Sequence, residues 1–383
     1  MLQRLELLVA TVEWVHEIGL VSRVCRVARR ATYAWGMSET YVDWSLAKRA
    51  ARKLVADGPS TTFEEAAATV TELRDAARRA HAPVAETSHL DAVAGTESLV
   101  HVVDRTAWID VNIDSMEQLL GPVVDKFTAK KKAGSRARAV GAKITGTETG
   151  ALMGFVATKV LGQYDLAPGG RPSLLLVAPN IVAAERELQV EASDFRLWVC
   201  LHEETHRVQF TAAPWLRDHV IECVRELVAN LVPDFGALQQ RLQLMLKSLP
   251  DTIKEGGGSL TNLITTPEQR AALANLTAVM SLLEGHADVV MDDVGLQVVP
   301  TVEEIREKCN KRRKSAGSVD RLLLRLLGFE VKMRQYRDGA AFCRAVQNEV
   351  GVDGFNAVWT LPETLPTAAE IESPHDWVTR IYG

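Results

Sequence analysis

Residues 201–210 read LHEETHRVQF, and within them His202 and His206 stand four apart, with Glu203 directly after the first. An α-helix turns about 100° per residue, so positions i and i+4 lie one above the other on a single face. In a helix the two imidazoles can therefore reach one ion. Glu203 sits to the side, within reach of a water on that ion. Phe195, Trp198 and Val199 share the histidine face one or two turns earlier, so that face is expected to look towards the interior or a cleft. A catalytic zinc normally takes three protein ligands and leaves one position open. The motif thus constrains the whole chain, because the fold must carry a third ligand to this helix from another segment.

The stretch LLEGHADVV (282–290) offers that ligand. Thr266 is a good N-cap, Pro267 suits the first helical position and Gln269 completes a capping box, so a helix is predicted from there through LEGHADVVMDDVG. Its apolar stripe runs Leu273, Leu276, Met280, Leu283, Ala287, Val290, and Glu284 and Asp288, four apart, flank it. Charge beside a buried stripe is costly unless it is paired. A cation on Glu284, with Asp288 accepting from and orienting His202 or His206, offsets that cost. His286 competes as third ligand; two residues after Glu284, it faces another side of the same helix, so only one of the two should bind. Gly285 costs about 1 kcal/mol relative to alanine inside a helix and is expected to let the two motif helices approach closely.

The rest of the chain reads as mainly helical with a small β element. Ala, Val and Leu are plentiful while aromatic residues make up only 6%, which favours helix over sheet. Helices are expected over DWSLAKRAARKLV (43–55), over TTFEEAAATVTELRDAARRAH closed by Pro83, and, third, from after ETSHL through AVAGTESLVHVV. GALMGFVATKVLG (150–163) reads as an apolar helix whose Gly150 and Gly154 permit a close helix contact, and PWLRDHVIECVRELVANLV as the helix after HEETH. RPSLLLVAPNI (171–181) is the clearest strand candidate, bounded by prolines, and a glycine break follows at EGGGS, 255–259. Residues 1–95 are expected to form a helical region packed on a catalytic region, 96–383, the two making one compact unit.

Composition narrows the function classes. With 5 widely spaced cysteines and no CxxC pair, a disulfide framework or a cysteine zinc site is not expected. Net charge is −5, so the chain as a whole carries no electrostatic footprint for nucleic acid. Basic clusters at 126–143 and 306–314 are read as solvated helix ends. Arg4, Glu6 and Glu13 interrupt the apolar first twenty residues, and no long uncharged apolar run exists, so neither a signal peptide nor a membrane span is expected. The expectation is a cytoplasmic protein with no membrane or nucleic-acid partner; oligomeric state is left open.

H-E-x-x-H followed, after the 77 residues 207–283, by E-x-x-x-D resembles the gluzincin branch of zinc metallopeptidases. More of the chain is similar to an uncharacterised zincin-like family of inferred metal-dependent hydrolases found mostly in actinobacteria. DWSLA, VVDRTAWIDVN, LLLVAPNI, FRLWVCLHEETHRVQF, PWLRDHV, EGHADVVMDDVG, KMRQYRDG and FNAVWTLPETLPTAAEI carry that resemblance from about residue 43 to the end. It implies a zincin-like metallopeptidase architecture, with His202, His206 and Glu284 as zinc ligands and Glu203 as base. Some members are labelled with a role in deazaflavin-cofactor biosynthesis, and no residue here speaks for that chemistry.

The function expected is hydrolysis of a peptide or small amide by a zinc-bound water, with Glu203 as general base. Tyr336 is the first choice of donor to the tetrahedral intermediate, ahead of His286 and His219, with Arg334 and Arg337 nearby in sequence. The strand LLLVAPNI is expected to pair with an extended substrate. The alternative is a non-catalytic binding or scaffold module in which zinc staples helices together. A fourth protein ligand would mark that case, and an accessible fourth position the enzyme.

Overall fold

The computed structural model describes residues 42–96, 98–128, 135–231, 266–315 and 329–383, with side chains described outside 123–128, 135–138, 230–231, 312–315 and 329–336. The expectations for the first twenty residues and for the glycine break at 255–259 lie outside these residues.

Helix α1 (Trp44–Leu54) starts where expected, with the Asp43 carboxylate accepting the Leu46 amide. Helix α2 (Phe63–Ser88) opens on a Thr62/Glu65 capping box and runs through Pro83 instead of stopping there. The hydrogen bond lost at the proline is offset by burial on either side, where Ala80 and Val84 are fully enclosed. The third expected helix is absent: the chain leaves α2 through His89 at φ 53°, and LVHVV forms strand β1 (Leu99–Val103), as its β-branched residues favour. Helices α3 (Arg105–Thr128) and α4 (Ser135–Val156) follow, then strands β2 (Gly162–Asp165) and β3 (Ser173–Val177). The expected strand over 171–181 is thus shorter than read. Pro179 falls in the first turn of α5 (Ala178–Leu188), where proline's missing N–H costs nothing.

The strands form one sheet in the order β1-β3-β2, with β3 parallel to β1 and antiparallel to β2. Because successive side chains alternate faces, β3 feeds two cores. Leu174 and Leu176 join the larger one, and Leu175 and Val177 the smaller. The smaller core holds Trp108, Ile109 and Ile113 of α3, Met153 and Val156 of α4, and Ala47 and Ala51 of α1. Here Gly150 and Gly154, with Gly146, do admit a close neighbour, namely α1. A Cβ at Gly146 or Gly150 would stand 2.5 Å from the carbonyl oxygen of Asp43 or Ala47.

The larger core is built around α6 (Ala192–Ala212), the helix of the HEETH motif, which packs against α2, α7 (Pro214–Leu231) and α8 (Pro267–Val298). The capping box at Thr266 and Gln269 is present. Helix α9 (Val302–Ser315) follows, and α10 (Phe329–Phe355), kinked at Gly351 where φ is 75°, then crosses α8. Short 3-10 turns (Asn356–Trp359 and Pro362–Thr364) and helices α11 (Ala368–Glu372) and α12 (Pro374–Tyr382) close the chain. Among the described residues no helix is long and apolar enough to cross a membrane. Of the basic stretch 306–314, Arg306 pairs with Asp292, and Lys308 reaches Glu304 and the Gln189 carbonyl. The side chains of the other cluster lie largely outside the described residues.

Gly285 does allow a close approach, but to α10, not to α6. A Cβ there would overlap the backbone at Gly339 and Ala340, and a Cβ at Gly339 would overlap the Ser281 carbonyl. Backbone on both sides leaves nothing flexible to give way. Gly285→Ala should therefore cost about 3 kcal/mol, read as a lower thermal midpoint. Gly141→Ala, in α4 where a Cβ meets nothing within 4 Å, should instead raise the midpoint, by about 0.5–1 kcal/mol.

Candidate metal centre

On α6 the face through Phe195, Val199 and His206 is buried, with Trp198 and His202 half-buried along it. The helix begins on Glu191, whose carboxylate accepts the Asp194 amide. Both imidazoles turn Nε2 towards the same point: His202 Nε2 and His206 Nε2 are 3.3 Å apart. From α8, Glu284 brings Oε2 to 3.6 Å from each of them. Among the described residues this is the one group of His, Cys, Asp and Glu side chains whose ligand atoms converge in this way.

The donor set fits zinc. Tetrahedral bonds of about 2.0–2.2 Å place ligand atoms about 3.3–3.6 Å apart, the size of this triangle. Its chemistry points the same way. The His206 Nδ1–H donates to Gln209 Oε1 at 3.0 Å, leaving Nε2 with its lone pair towards the carboxylate oxygen. Acceptors that face one another in a buried place repel unless a proton or cation sits between them. Burial opposes charge on His206, but the Glu284 carboxylate, its hydrogen bond, Glu203 and Gln209 favour it more strongly, and the ring's pKa is raised.

Glu203 is buried one residue round from His202, with its carboxyl against the backbone of Gly162 at the start of β2. A Cβ at position 162 would stand 2.5–2.7 Å from Glu203 Cγ, Cδ and Oε1, so only glycine leaves this carboxyl its place. Glu204, fully buried on the other side of α6, is clamped instead. Arg207 donates to both of its oxygens at 2.7 and 2.6 Å, and His81 Nδ1 lies 2.7 Å from Oε1.

The other sequence candidates that can be placed do not join this triangle. His286 is completely buried, stacked on Phe355 at 5.4 Å and beside Trp359 at 5.2 Å. Its Nδ1 lies 2.9 Å from Gln209 Nε2, so the ring faces the amide and not the triangle. Burial pushes its pKa down to about 3. As the sequence argument required, Glu284 and His286 leave the helix on different sides, and it is Glu284 that meets the histidines. Asp288 is half-buried one turn beyond Glu284, while His206 takes its orienting partner from Gln209 on its own helix. His219 contacts Cys223 Sγ at 3.5 Å and the edge of Trp215, all on α7, and burial lowers its pKa. Arg337 is exposed and bonded to Asp338. The side chains of Tyr336 and Arg334 lie outside the described residues. Sequence reasoning missed Gln209, although it stands three residues after His206 on nearly the same face, and Gly162, whose role only the tertiary structure shows.

A family model described as zincin-like metallopeptidase matches residues 42–378. The chain belongs to this family. Zincin-like proteins imply a metal, typically zinc, and the His-His-Glu triangle is where this chain could hold one. No curated protein matches the chain. Among solved structures, a candidate hydrolase with a novel fold from Chloroflexus aurantiacus is similar, at 29% identity and a TM-score of 0.64, over 89% of this chain and 98% of that one.

This geometry separates the two possible third ligands. Glu284→Ala should abolish tight zinc binding, while His286→Ala should keep a zinc site of reduced affinity, both read by chelator competition. It also fixes a pH dependence. Because the His206 pKa is raised, protons compete with zinc already above the ordinary imidazole value of about 6.5. In the metal-free protein this group's contribution to stability is present below that value and lost as pH rises through the raised one. The gain in thermal midpoint on adding zinc should therefore widen from acid towards neutral and alkaline pH.

Proposed function

We propose that this zincin-like protein is a zinc-dependent hydrolase of amide bonds, with His202, His206 and Glu284 holding the metal and Glu203 as general base. The observation that carries the reading is the accessibility of the triangle. The His202 side chain is 20% exposed, whereas those of His206 and Glu284 are 3% and 2% exposed. Three ligands of which one borders solvent suit a site with an open position. A structural zinc would need a fourth protein ligand, and none converges with the three among the described residues.

Zinc, when bound, supplies a Lewis acid that polarises a carbonyl and makes a water acidic near neutral pH. The Glu203 carboxylate then accepts a proton from the attacking water and delivers it to the leaving amine. Gly162 lets the carboxylate occupy that place, and Asp288 is assigned the orientation of His202. Strand pairing with substrate is not carried by β3, which lies between β1 and β2 and has no free edge. The strand beside Glu203 is β2, buried along its whole length. That burial favours a compact amide gripped by side chains over a long peptide held as an added strand.

The test separates base from ligands. Wild-type protein should copurify with or take up one zinc per chain by elemental analysis. Glu203→Gln should retain that zinc while hydrolysis of short acyl-amide substrates falls about 10²–10⁴-fold. Gly162→Ala, which crowds the same carboxyl, should lower the rate without loss of metal. Undiminished turnover by Glu203→Gln would assign the base elsewhere, and a wild type that takes up no zinc would end the metalloenzyme reading.

A further inference from the structure

Gln209 is completely buried, bridges α6 and α8, and touches neither solvent nor the point of the triangle. Its orientation follows from one atom. The Leu283 backbone carbonyl only accepts hydrogen bonds, and it lies 2.9 Å from one terminal atom of the Gln209 amide. That atom must be the nitrogen, since a flipped amide would set two oxygens against each other. The oxygen consequently faces His206 Nδ1 at 3.0 Å, and Nδ1 must carry the proton it accepts. The second hydrogen of the amide nitrogen points to His286 Nδ1 at 2.9 Å, so that ring accepts there and keeps its own proton on Nε2.

We propose that Gln209 is the positioning residue of the metal centre, locking His206 in the tautomer whose Nε2 lone pair faces Glu284 Oε2 and anchoring the α8 backbone beside Glu284. A fixed acceptor on Leu283 sets the amide, the amide sets His206, and His286, wedged against Phe355 and Trp359, keeps the amide from turning. One side chain thus governs the direction of one ligand and the height of another. Free imidazole exchanges its two tautomers readily, so without this lock part of the population would present an N–H to the metal position. Isosteric removal of a partner of this kind typically lowers metal affinity about 10–100-fold.

The proposal rests on the metal reading of the triangle but not on catalysis, and two measurements keep them apart. The first is zinc affinity by chelator competition for wild type, Gln209→Met and His286→Phe, each checked for an intact metal-free fold by circular dichroism. Gln209→Met should bind about 10–100-fold more weakly than wild type. His286→Phe should lose less, since Leu283 still holds the amide. If wild type binds no zinc, the metal reading fails; if it binds zinc and Gln209→Met binds equally well, this inference fails alone. The second is the ¹⁵N shift pattern of His206 in metal-free wild-type protein above its titration range, assigned by difference from a His206→Gln sample. The Nδ1–H form should predominate there. An Nε2–H ring in the wild type overturns the proposal even if the Gln209 variant does not fold.

Discussion

Three ligand atoms converging on one point at the edge of the core are the constraint that the surrounding structure answers. His202 and His206 arrive together because one helix carries both, but Glu284 belongs to α8, and its Oε2 stands 3.6 Å from each ring nitrogen. Bringing a carboxylate and two imidazoles together in a largely buried place is costly unless a cation or proton sits among them, so support from outside matters. The holding is done by apolar burial of α6 between α2, α8 and the sheet, and by the Gln209 bridge to Leu283. Packing and site geometry are coupled here: what fixes α8 against α6 also sets the span of the triangle.

That coupling extends one layer further out. α8 is pressed from its other side by α10, where Gly285 and Gly339 meet backbone to backbone. Glu284, next to Gly285, is therefore caught between a glycine crossing on one side and the histidine helix on the other. A helix so confined has little freedom to slide or roll, which keeps Glu284 in register with the two histidines. The glycine cost inside α8 is offset by this close contact, although the partner is α10 and not the helix that the sequence suggested.

What could be read from the sequence follows the range of the interactions involved. HEETH and the Thr266–Gln269 capping box are local, and both elements lie where the spacing places them. Glu284 was readable because a charge beside an apolar stripe needs a partner wherever that partner comes from. Pro83 misled because the packing around Ala80 and Val84 that tolerates it is tertiary. LVHVV and LLLV could be weighed only as isolated runs, and which strand lies in the middle of the sheet is set by pairing, not by either run. His286 was ambiguous for a similar reason. Its side of the helix was legible, but the aromatic neighbours Phe355 and Trp359 come from about seventy residues downstream.

Two adjacent glutamates show how little separates a carboxylate proposed as a base from one held as a structural acceptor. Glu203 and Glu204 are both buried, both on α6, and differ by one step of about 100°. That step puts Glu204 under Arg207, which donates to each of its oxygens, with His81 beside them. A carboxylate held so is committed as an acceptor, and its work is to fix α6 to α2, which bears His81. The other step carries Glu203 to the histidine side, against a residue with no side chain. Gly162, at the start of the buried strand β2, leaves the buried carboxyl its place. A buried carboxylate beside two imidazoles is the kind of group from which a general base can be drawn. The choice between the two carboxylates is thus made by their neighbours, an arginine for one and a glycine for the other.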